Sequence, residues 1–137
     1  MLNSNRVIIV PCSGIGKTYG TVSREAAYEV IEELRPHTTT LVPLSMLVLG
    51  DDAARTAVAE NQVITIDGCS LGCAAKMVEV GDGAAAREFA VLDCYRRNRK
   101  LKPRGIAELN EGGQKLARAL AEEVAAAADE LVGGEDA

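Results

Sequence analysis

Val63–Cys73, VITIDGCSLGC, is the stretch from which the fold can be read. Val63, Ile64, Thr65 and Ile66 make an unbroken, β-branched-rich run, the pattern of a parallel strand covered on both faces. Asp67-Gly68-Cys69 ends it, and Gly68 permits a sharp turn from strand into helix. A helical pattern then runs to about Val80 and closes at Gly81-Asp82-Gly83. On this reading Cys69 stands at or just inside a helix N-terminus, where exposed N–H groups favour a thiolate. Cys73 follows four residues later, one turn along the same face. Two sulfurs so placed can reach one metal ion. Two buried apolar cysteines are the alternative.

Working outward, the same strand-then-helix alternation recurs on both sides. Upstream, Arg6–Val10 (RVIIV) reads as a first strand, ended by Pro11-Cys12-Ser13-Gly14-Ile15-Gly16. Apolar residues at Tyr19, Val22, Ala26, Ala27, Val30, Ile31 and Leu34 then keep a helical period that stops before Pro36. Thr38–Val42 is a second strand closed by Pro43. Leu44–Leu49 reads as either helix or buried loop, and Asp51–Glu60 as a short helix. Downstream, Glu88–Asp93 (EFAVLD) is a fourth strand leading straight into Cys94. The basic run Tyr95–Arg104 is a solvated loop or short helix, with an anion-binding patch as the alternative. Gly105–Leu131 is a covering helix interrupted by Gly112-Gly113, in one piece or two, and residues 132–137 are a frayed acidic tail. The chain is therefore expected to be one domain over 1–137, with its core at about 5–131. Its class is a three-layer, Rossmann-like α/β domain with a small, mainly parallel sheet of about four strands. Strand order is not legible.

Composition narrows the partners. Net charge is −5 and aromatic content 3%, so neither a basic footprint for nucleic acid nor a base-stacking platform is present. No run approaches a membrane span and the N-terminus lacks a signal-peptide pattern, so a cytoplasmic location is expected. Four cysteines in a reducing compartment are then poor disulfide partners.

Three of them follow strands: Cys12 the first, Cys69 the third and Cys94 the fourth, with Cys73 close behind Cys69. In open α/β sheets ligands bind beyond the carboxyl ends of the strands. Cys12, Cys69, Cys73 and Cys94 are accordingly the candidate metal ligands. Thiolates gathered in such numbers select Zn2+ or an iron–sulfur cluster. Four close a tetrahedral site, whereas three leave a position open. His37, the only histidine, opens the second strand and is expected at the surface.

With PCSGIGK after the first strand and ITIDGCSLGCAAK after the third, the chain resembles the DGC-domain family of proposed zinc-binding proteins, over approximately Val7 to Asp93. The resemblance implies a cysteine site built on Cys12, Cys69 and Cys73, with zinc as the metal. The family pattern carries further cysteines where this chain has Ile15 and Met77, and another near Leu41–Leu44. Cys94 is the residue that could replace a missing ligand.

A rival motif overlaps the first loop. PCSGIGKT, Pro11–Thr18, ends like a P-loop, but Pro11 stands where the first glycine belongs and brings no N–H to a phosphate. Three classes stay open beside this less favoured nucleotide reading. One is a zinc-binding module. Another is a sulfur-handling enzyme with a three-cysteine [4Fe–4S] cluster. The last is a thiol or persulfide carrier using Cys69. The expected partner is a small thiol or sulfur ligand, or another protein, and a homodimer stays open.

Overall fold

The computed structural model describes residues 6–12, 17–68 and 72–136. Within them four strands form one sheet: β1 (Val7–Pro11), β2 (Thr39–Leu41), β3 (Val63–Asp67) and β4 (Ala85–Ala90). Every pairing is parallel and the order is β2-β1-β3-β4. β1 and β3 are buried along their whole length, as two-faced cover requires.

Alternation along the strands divides the interior into two cores. Val7, Ile9, Ile64 and Ile66 face α1 (Thr18–Glu29), α5 (Val91–Arg97) and α6 (Glu111–Asp136). Ile8, Val10 and Val63 face the opposite layer, made by α2 (Leu44–Val48), α3 (Asp52–Glu60) and α4 (Cys73–Val80). This is the expected three-layer, Rossmann-like α/β arrangement with a small parallel sheet. The α1 helix widens into a π turn over Val30–Leu34, ending where the Arg35 N–H donates to the Val30 carbonyl five residues back. The Arg35 guanidinium then clamps the Asp129 carboxylate through two 2.7 Å bonds, tying α6 to this end of the α1 layer.

Three boundaries depart from the sequence reading. The fourth strand ends at Ala90, not Asp93, and Val91 opens α5. β4 lies at the sheet edge and is only partly covered, so its apolar signal is weak. The run Val91, Cys94, Tyr95 instead carries helical i, i+3, i+4 spacing. The C-terminal covering helix is one piece from Glu111, continuing through Asp136, so most of the expected tail is helical. Gly112 and Gly113 do not break it. They sit in its first turn, where a Cβ on Gly112 would run into the Leu101 carbonyl of the preceding 3-10 turn (Arg99–Leu101). Asn110 caps this start, its Oδ1 accepting from Gly113 N at 2.8 Å and Arg104 N at 2.9 Å. Finally, α4 begins at Cys73, with Gly72 before it in the left-handed region at φ 66°. Cys73 is therefore the first residue of α4, and Cys69, expected at the helix N-terminus, lies outside the described residues.

Candidate metal centre

Strand order decides where a ligand can sit. From β1 the chain crosses through α1 to β2 on one side, and from β2 it returns past β1 to β3 on the other. The β1/β3 boundary is thus the topological switch point, and the crevice beyond its carboxyl ends is the ligand position of this architecture. Cys12 leaves β1 there. Its N–H donates to the Ile66 carbonyl at 2.7 Å, which ties the end of β1 to the end of β3 one residue before Asp67.

Two further contacts draw the surrounding helices to the same point. Ser23 on α1, fully buried, donates its hydroxyl to the same Ile66 carbonyl at 2.8 Å. Gly68 lies so close to the first turn of α1 that a Cβ would stand 3.3 Å from Tyr19 Cβ. Gly68 thus spares α1 a tight Cβ contact, and Gly72, the residue before α4, is in the left-handed region. On the other face the Asp67 carboxylate reaches α4, where its Oδ1 accepts from Ala74 N at 2.7 Å. Burial raises the Asp67 pKa, and the N–H groups of Ala74 and Ala75 and the Lys76 charge pull it back.

The cysteines fall into two environments. Cys12 is half-buried at the crevice and Cys73 is exposed at the first position of α4. Cys69, two residues after Asp67 in sequence, lies outside the described residues, as do Ser13–Gly16. Among the described residues no three Cys, His, Asp or Glu side chains are grouped as a metal-holding set. Cys94 lies elsewhere. It is not at a strand end but inside α5, 1% exposed, in the core shared with α1 and α6. Its thiol donates to Glu123 Oε2 at 3.4 Å, and Glu123 in turn binds Arg97 at 2.6 Å. Burial pushes the Cys94 thiol up to about 11, with Glu123 adding to the shift and Arg97 opposing it.

The remaining candidates are quickly placed. His37 is exposed, in the turn that enters β2 at the opposite edge of the sheet. The basic run is a charged surface, exposed at Arg96, Arg97, Arg99, Lys100, Lys102 and Arg104. Arg96 pairs with Asp93 and Arg97 with Glu123. For the nucleotide reading, Pro11 is the last residue of β1 and the Cys12 N–H is already used by Ile66. Neither offers a backbone donor to a phosphate, and the rest of that loop lies outside the described residues. Sequence reasoning missed the grip of Asp67 on α4. Its only signal was an acidic residue at the end of a strand, ahead of a helix start that offers no capping side chain of its own.

Together these features define a class: a parallel α/β protein with its switch point between β1 and β3, with Cys12 at the end of β1 and Cys73 at the start of α4. The DGC-domain family model matches residues 8–128, and the chain belongs to the DGC-domain family. No curated protein and no solved structure matches it. Among the described residues no helix is long and apolar enough to cross a membrane.

Proposed function

We propose that this chain is a thiolate metal-binding protein holding Zn2+ at the β1/β3 crevice through Cys12, Cys69 and Cys73. The observation that supports the reading is the strand order, which sets the carboxyl ends of β1 and β3 side by side, Cys12 being bonded directly to the end of β3. The donor chemistry agrees, because sulfur ligands suit a soft, thiophilic ion. Cys94 is left out of the set, since its thiol is enclosed between α1, α5 and α6 and engaged by Glu123. Three protein thiolates leave one coordination position for a small thiol, another sulfur ligand or a partner's side chain. Bound there, zinc would act as a Lewis acid toward that ligand.

Elemental analysis of anaerobically purified protein tests this. The expected result is a single zinc ion per chain, lost or strongly weakened by Cys12→Ser, Cys69→Ser or Cys73→Ser and unchanged by Cys94→Ser. Metal content that survives all three of the first substitutions sinks the reading. The same three-cysteine set at a ligand crevice also favours a second reading, an iron–sulfur cluster with one uncoordinated iron. Iron with acid-labile sulfide in place of zinc, and a brown chromophore, would select it.

A further inference from the structure

We infer that Asp67 is the positioning residue of this metal centre: from the end of β3 it holds the first turn of α4 and so sets where the Cys73 thiol stands. The inference rests on the metal-binding reading above. Its geometry stands on the fold alone. A helix start needs acceptors for its free N–H groups, and usually finds one on the side chain of the N-cap residue. α3 is built that way, with Asp51 at its N-cap accepting from Ala54 N at 2.9 Å. α4 is not, because its N-cap is Gly72, which has no side chain to offer. The acceptor comes instead from across the loop, from Asp67, 5% exposed and bonded to Ala74 N at 2.7 Å.

That bond bears directly on Cys73. Ala74 is the residue after Cys73, so an Asp67–Ala74 bond fixes the Cys73 backbone relative to β3 within the first helical turn. A negative carboxylate at a helix N-terminus is favourable for the helix itself. Its burial in place of a solvent-exposed local cap is what a site gains from when ligands must be preorganised. Outer groups of this kind typically change metal affinity about ten- to a hundredfold when removed.

The experiment uses Co2+ as a spectroscopic probe on the full chain, with Asp67→Ala, Asp67→Asn, Cys73→Ser and the Asp67→Ala/Cys73→Ser double variant. Asp67→Ala should weaken Co2+ binding about ten- to a hundredfold, and Asp67→Asn, which keeps an oxygen acceptor of the same size, should recover part of the loss. In the Cys73→Ser background Asp67→Ala should have little further effect, because Asp67 acts through Cys73. Without metal, amide exchange at Ala74 should accelerate in Asp67→Ala. Equal losses in both backgrounds, or unchanged affinity with Ala74 still protected, overturn the inference while leaving the metal centre standing. If the wild-type chain itself takes up no Co2+, the metal-binding reading fails and the inference with it. Should Asp67→Ala not fold, Asp67→Asn carries the comparison, with unchanged Co2+ affinity and Ala74 exchange counting against the role.

Discussion

Cys94 and Cys12 have the same side chain and opposite surroundings. Cys94 is enclosed, and burial first, then Glu123, hold its thiol protonated up to about 11 against an ordinary value of 9.0. Below about pH 9 the thiol keeps its proton in both folded and unfolded chains and has no effect on stability. Between about 9 and about 11 the unfolded chain releases that proton while the native protein retains it, so stability falls as pH rises. The loss is on the order of 2 kcal/mol by the top of this window. Cys94→Ser keeps a donor for Glu123 but no titration in this range. Denaturant unfolding of the two proteins under reducing conditions should therefore show the wild type losing more stability than the variant between pH 8.5 and about 11. Parallel pH profiles would show that Cys94 does not control this alkaline loss.

Among the elements, α6 shows how one residue type serves different purposes along one helix. Gly112 faces the 3-10 turn, where a Cβ would collide with the Leu101 carbonyl, whereas a Cβ at Gly133 would meet nothing within 4 Å. Helix propensity alone would make alanine better by up to about 1 kcal/mol at both positions. Packing reverses the sign at the first. Gly112→Ala should lower unfolding free energy by about 1–3 kcal/mol through overpacking, while Gly133→Ala should leave it unchanged or raise it slightly. A stabilised Gly112→Ala protein would contradict the close approach of α6 to the 3-10 turn. Read in sequence, Gly112-Gly113 suggests a helix break, because a propensity argument cannot see the carbonyl that the glycine accommodates.

For the whole molecule, the crevice joins parts that the two cores hold separately. Cys12 leaves β1 at the centre of the sheet, and Cys73 begins a helix that packs its Ala74 and Val78 into the α2–α3–α4 layer. An ion bridging them would staple that layer to the sheet in the native state only. A ligand that binds only the folded chain at a hundred times its Kd adds about 2.7 kcal/mol. Zinc should accordingly raise the Tm by several degrees, and chelation should reverse it. Cys12→Ser or Cys73→Ser should remove the zinc-dependent shift, with Cys94→Ser retaining it at a lower baseline. A Tm indifferent to zinc would leave the crevice without this stapling role.

The sequence by itself determined the class of this protein. Unbroken apolar runs such as VIIV and VITI demand cover on both faces, and the helical periods between them supply it. It also pointed to the loops after β1 and β3, since a cysteine directly after a buried strand must emerge at the carboxyl edge of a parallel sheet. Only the tertiary structure decided the strand order, because crossover length does not specify which neighbour a strand joins. It also decided the fate of Cys94, since a half-covered edge strand and the first turn of a helix share the same short apolar pattern. The grip of Asp67 on α4 was likewise invisible in one dimension. A cap normally sits next to its helix, and here the fold brings it from the end of a strand.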